Sequence, residues 1–296
     1  MSATVFEEGE GPGATLCAVG VSLIVDDDVV QWLKTPPLGW IGPELARCVV
    51  LGVLPLLTGK RLRELNSRGG LNLVVWEGCI RPEFEERGEA HRALITSFIA
   101  QHRGFLWKEI IGSQAANGAR LEWTIRSGAL LWNPTAAQYT DLSGLDPEEI
   151  ARKPHIIGLT RSIEATRGGS WVGSWIGSLF DYCAPRLGFG GAEQRLLLAA
   201  LRGESTDEEL SDALGVTLAT VKKTWLSIYD RTTNGAAPIL RCYSGEGPFG
   251  ARGREKRRRL LAYLREHPQE LRPHLPKLLC AASRLGSSAL EGSALE

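Results

Sequence analysis

Apolar positions between Phe189 and Arg231 recur at the three-and-four spacing of short amphipathic helices, and the polar residues between them mark where those helices start and stop. A first helix is expected over roughly Ala192 to Leu201, with Leu196, Leu197 and Ala200 on one face. Ser205 and Thr206 are alternative N-caps for a second, because each is followed three residues later by a glutamate, Glu208 or Glu209. That helix starts near Asp207 and carries Leu210, Ala213 and Leu214, after which Gly215 gives the chain freedom to turn. Thr217 caps a third helix, in which Leu218, Val221, Trp225 and Ile228 share one face while Thr220, Lys222, Lys223 and Thr224 lie mostly on others. Three short helices with a tight turn before the last are the grammar of a helix-turn-helix.

Upstream the period changes. Leu16 to Val30 is apolar, Leu73 to Trp76 reads as a strand, and Glu83 to Gln101 as an amphipathic helix carrying Ala90, Leu94, Phe98 and Ile99. Leu121 to Ile125 and Ala129 to Trp132 read as short strands, and Asp146-Pro147 as a capped helix start. This alternation predicts a mixed α/β regulatory domain over residues 16–187, behind a Glu/Gly-rich and disordered stretch at 1–15. The fold class is therefore α+β, with a C-terminal all-α helix-turn-helix domain at 188–235. A basic extension with one helix at 236–280 and a flexible tail at 281–296 complete the expected plan.

The residues from Glu193 to Tyr229 resemble the helix-turn-helix of LuxR/GerE-type bacterial transcriptional regulators. Glu193 with Leu196-Leu197 is similar to the family's opening RE..VL, Gly203 to the glycine ending its first helix, Glu209-Leu210-Ser211 to EIA, and Gly215-Val216-Thr217 to GIS. Thr220-Val221-Lys222 is identical to its TVK, and Ile228-Tyr229 follows. Ala192, Thr224 and Ser227 depart from the usual arginine, histidine and asparagine, and Thr232 stands where a leucine leads into a fourth, often dimerising helix. Thr233 through Pro238 does not read as helical. The resemblance implies a cytoplasmic regulator that binds double-stranded DNA without a cofactor. RNA polymerase and a second copy of the chain are the other partners open to such a protein. The helical face assigns Thr217, Thr220, Lys222, Lys223, Thr224 and Arg231 to DNA, Thr220 near base edges and Lys222, Lys223 and Arg231 on phosphates.

Charge changes this picture locally. Lys plus Arg and Asp plus Glu both number 34, so the chain as a whole has no bulk nucleic-acid signature. From Glu193 to Arg231, seven acidic residues outnumber five basic ones, which is weak for a stand-alone DNA binder. A supplement is expected from Arg254, Lys256, Arg257, Arg258 and Arg259, with Arg257 and Arg258 as phosphate contacts; the alternative is a packing helix built on Leu260, Leu261 and Leu264.

Other classes fall away on the residues. Leu23 to Asp28 looks like the first strand and acidic cluster of a response-regulator receiver, but no aspartate occurs between Asp28 and Asp141 to accept a phosphoryl group. The longest apolar run, Cys48 to Leu57, is too short to span a membrane, and no basic residue precedes Lys34, so no secretory leader is expected. Six scattered cysteines without a C-x-x-C pair read as reduced and mostly buried, and five histidines show no metal spacing. Gln101 to Leu106 half resembles the Q-x-x-G-x-G/A loop of N-acetyltransferases, with Leu106 in place of the last small residue. An acyl-CoA-dependent transferase, or a protein-interaction module with a small helical domain, is therefore the rival to a non-enzymatic regulator. Eight of the nine tryptophans precede the helix-turn-helix, enough to build a pocket for a small-molecule effector.

Overall fold

The computed structural model describes residues 2–8, 14–53, 56–85, 87–113, 127–141, 152–167, 174–203, 205–234 and 253–273. The chain forms two compact units, one within Met1–Asp181 and one over Tyr182–His274. The strand expected at Leu121 to Ile125, the helix start at Asp146 and the tail at 281–296 lie outside the described residues.

The first unit is α+β. Its sheet orders seven strands as β1 (Ser2–Glu8), β2 (Thr15–Val25), β3 (Leu71–Ile80), β4 (Trp107–Ser113), β7 (Ile156–Thr160), β5 (Leu130–Asn133) and β6 (Gln138–Thr140). Only β3 and β4 are parallel; every other pair is antiparallel. Side-chain alternation divides the core by face. Leu23, Val25, Val74, Ile111 and Ile156 pack with helices α1 (Asp27–Lys34) and α2 (Ile41–Val50). Leu71, Leu73, Ile110 and Leu159 form the opposite cluster with Leu62 of α3 (Gly59–Arg68) and with Phe98 and Ile99 of α5 (Gly88–His102). Helix α6 (Arg161–Arg167) follows β7 directly. At Gly158 of β7 only glycine fits, since a Cβ would lie 2.4 Å from the Ile110 carbonyl oxygen.

Several expectations change. Ser2–Glu8, expected to be disordered, pairs along β2 as an edge strand; Phe6 joins the Cys17, Ala18, Ile80 and Phe84 cluster, and Glu8 meets Arg87 at 2.8 Å. The acidic cluster at Asp26 to Asp28 lies between a strand and a helix: β2 stops at Val25, and the Asp26 carboxylate accepts the Asp27 N–H at 2.7 Å as N-cap of α1. The helix expected over Glu83 to Gln101 is two, α4 (Pro82–Glu85) and α5, because Arg87 is extended at the start of α5.

The described elements of the second unit are all helical: α7 (Gly191–Leu201), α8 (Asp207–Leu214), α9 (Leu218–Asn234), α10 (Gly253–Glu266) and a 3-10 turn at Pro268–Leu271. Leu196, Leu197, Leu210, Val221, Trp225 and Ile228 share one core with Leu260, Leu261 and Leu264, so the segment set apart as a basic extension is an integral wall of this unit. Helix α9 continues through Thr233 to Asn234, beyond the expected end. The buried Thr232 hydroxyl bonds the Ile228 carbonyl at 2.9 Å, which satisfies a polar side chain inside the core without breaking the helix.

Candidate nucleic-acid interface

Local chemistry fixes how α8 and α9 meet. Thr206, the second of the two candidate caps, is the one used: its hydroxyl accepts the Glu209 N–H at 3.2 Å, and Glu209 returns to the Thr206 N–H at 2.7 Å. Gly215 ends α8 with φ +63°, a left-handed conformation that favours glycine. Thr217 then caps α9 by accepting the Thr220 N–H at 3.2 Å.

The predicted DNA contacts fall into two groups. Thr217, Thr220, Lys222 and Lys223 are exposed on the side of α9 away from the buried Val221, Trp225 and Ile228. Thr224 is half-buried beside them and spends its hydroxyl on the Thr220 carbonyl at 2.8 Å. Arg231 and Arg257 are engaged within the unit. Arg231 places Nε 3.3 Å from Oε2 of the buried Glu193, whose other oxygen accepts from Ser227 at 2.8 Å. The same carboxylate also accepts the Gly190 N–H at 2.7 Å, so one buried charge ties the start of α7 to α9. Arg257 bonds the Asp207 carboxylate and the Ser205 carbonyl, and its guanidinium lies 4.3 Å from the centre of the Trp225 ring. Burial pushes the Tyr229 hydroxyl up, opposed by a hydrogen bond from Arg257. Arg258 is exposed but shares Glu255 with Arg259, and these two arginines, Arg258 first, hold the Glu255 carboxyl down at about 2.

The pairing of Glu193 with Ser227 escaped sequence reasoning, since a buried carboxylate and its hydroxyl partner on another helix leave no mark in local periodicity. A second exposed feature was also missed: Leu226, 69% exposed, stands on the outer side of α9 next to Lys222 and Lys223.

The first unit holds a cavity of about 530 Å³. Of the eight upstream tryptophans, Trp40, Trp76 and Trp175 line it; Trp107 is core, Trp32 is exposed, Trp132 lies beside Lys34, and Trp123 and Trp171 are outside the described residues. Gly104 is buried at φ +88° and is not part of the cavity wall, so the half-matched loop at Gln101 to Leu106 forms a closed turn after α5. Elsewhere a buried network joins Lys34 to Glu109 and Glu109 to the Tyr139 hydroxyl at 2.5 Å. Cys17 and Cys48 are buried, but Cys79 and Cys183 are exposed, against the expected burial. Among the described residues no cluster of His, Cys, Asp or Glu is arranged for a metal ion, and no helix is long and apolar enough to cross a membrane.

No family model matches the chain, and no curated protein matches it in sequence.

Proposed function

We propose that the chain is a DNA-binding transcriptional regulator of the LuxR/GerE type, with α9 as recognition helix in the major groove and the first unit as receiver of an effector. One observation carries this reading: α9 is anchored by Val221, Trp225 and Ile228 while Thr217, Thr220, Lys222 and Lys223 are exposed on its outer side. Lysines there contact phosphates and Thr220 reaches base edges. The acidic Glu208, Glu209 and Asp212 on α8 are exposed and repel phosphate, so binding depends strongly on those two lysines and on salt. An effector shifts DNA affinity by the ratio of its own affinities for the two states. The test is selection from a random pool of duplex DNA by the purified full chain. Enrichment of one motif, lost with Lys222→Ala and Lys223→Ala, supports the reading; no enrichment at low salt overturns it.

One feature favours the rival, an acyl-CoA-dependent transferase. β3, α5 and β4 form a parallel crossover, and the small-x-small spacing sought at Gly104 recurs as Gly88-Glu89-Ala90 in the first turn of α5, where a phosphate would meet backbone N–H groups. Against it, Glu85 occupies the glutamine position of that pattern, and a carboxylate there repels a pyrophosphate. Calorimetry with acetyl-CoA separates the two: saturable heat would favour the transferase.

A further inference from the structure

Exposed apolar side chains are concentrated at the end of α2. Among the described residues ten large apolar side chains are exposed, and half of them fall within eight consecutive positions: Val49, Val50, Leu51, Val53 and Leu56. Single exposed aliphatics are ordinary, but a contiguous group marks an interaction site. Helix α2 buries Ile41, Leu45 and Cys48 on one side. At its last turn the apolar positions spread around the axis instead, because neighbouring helical residues point about 100° apart, and Val50 is 85% exposed. The backbone there is closed on itself. The N–H groups of Leu51, Gly52 and Val53 donate to the carbonyls of Arg47, Val49 and Cys48, each at 3.0 Å, around a left-handed Gly52 at φ +67°. With those donors satisfied inside the chain, this tip can enter an apolar phase without stranding them.

Charge selects the phase. From Glu44 to Glu64 four basic residues, Arg47, Lys60, Arg61 and Arg63, stand against those two acidic ones. Arg47 pairs with Glu44 at 3.0 Å, and Arg61 with Asp26 and Glu64 at 3.2 and 3.4 Å. Lys60 and Arg63 are exposed near the start of α3. Lys60 follows Leu56 by four residues, a span of at most about 14 Å even in an extended chain, so its ammonium lies within reach of headgroups when the tip is among acyl chains. A folded partner covers one face of a helix, whereas fluid acyl chains take side chains that point in several directions. Shallow insertion and attraction to anionic lipid are together the two signals that hold a protein on a membrane surface.

We propose that the apolar tip from Val49 to Leu56 docks the first unit on an anionic lipid surface, with Lys60 and Arg63 on the headgroups. This goes beyond the preceding reading and its test involves no DNA, so either can fail alone. The full chain is floated with vesicles of phosphatidylcholine alone or of phosphatidylcholine with an equal amount of phosphatidylglycerol. It is expected to float with the mixed vesicles, far less with the neutral ones, and to be released as salt rises. Val50→Asp with Leu51→Asp puts charge in the acyl region and should weaken flotation by at least about tenfold. Lys60→Gln with Arg63→Gln keeps the apolar tip and should weaken it by about tenfold. Lys222→Ala with Lys223→Ala should leave it unchanged, which separates this surface from the lysines of α9. Thermal melts check that each variant folds, and the Lys60 and Arg63 pair decides alone if the aspartate pair does not. Absence of flotation with the mixed vesicles, flotation undiminished in the tip variants, or its loss only with Lys222 and Lys223 would overturn the proposal. So would a dimer of the parent that Val50→Asp with Leu51→Asp dissociates, since a second copy would then be what covers the tip.

Discussion

The guanidinium of Arg257 stacks 4.3 Å from the ring centre of Trp225 while bonding the carboxylate of Asp207, so a residue of the basic run joins α10 to both α8 and α9. A charge that looks available to phosphate in the sequence is thus used to hold α9, the helix proposed to read DNA, in place. The cationic charge that α10 leaves free for any partner is correspondingly smaller than its composition implies.

Arg257→Gln should therefore lower the stability of the second unit by about 1–3 kcal/mol through loss of a charged hydrogen bond and a cation–π contact. Arg258→Gln, at an exposed position, should leave the melting temperature within error. Thermal melts of the two variants check this contrast, and equal melts would remove the clamp.

Lys222→Ala with Lys223→Ala should weaken binding to every duplex sequence and flatten the salt dependence by up to about two phosphate equivalents. The measurement is affinity against salt concentration on one operator and one unrelated duplex. An unchanged slope would take both lysines off the phosphates.

Trp225 is 3% exposed and lies in the core with Val221 and Ile228, so Trp225→Ala should destabilise the second unit by about 3–5 kcal/mol. A variant that melts like the parent but fails to bind DNA would instead put Trp225 in the groove.

In the first unit, Glu109→Gln should cost about 3–5 kcal/mol, because it strands the buried ammonium of Lys34. Burial, and then the Glu109 charge, raise the Tyr139 hydroxyl above its ordinary value of 10.0. The folded state thus holds that proton more tightly, and the stability it contributes is intact below pH 10 and lost as pH rises through the folded value. Absorbance titration of the parent against Tyr139→Phe checks this, with the missing increment expected at the alkaline end.

Glu255 should titrate near 2 in a carboxyl-resolved NMR experiment. A depressed carboxylate stabilises above its ordinary value of 4.5 and loses that effect as pH falls toward 2, so the first turn of α10 should loosen in that window. A midpoint at 4.5 would mean that Arg258 and Arg259 are free for other partners.

The short-range features are legible in the residues alone. The Thr206 and Thr217 caps, the Gly215 turn and the Val221, Trp225 and Ile228 face follow from backbone hydrogen bonding and helical period, which act within a few residues and so are written locally. Which cations are exposed and which are engaged depends instead on packing between distant segments. Lys222 and Arg257 are alike as residues, but one has solvent beside it and the other has Asp207 and Trp225, brought from other helices by the shared core. The same holds for β1, whose few apolar residues form a strand only because β2 offers an edge to pair with. It holds also for the cavity, which exists because two strands distant in sequence stop pairing at Val75 and Gly112. Long-range contacts are selected by the burial of the whole chain, and no local pattern encodes them.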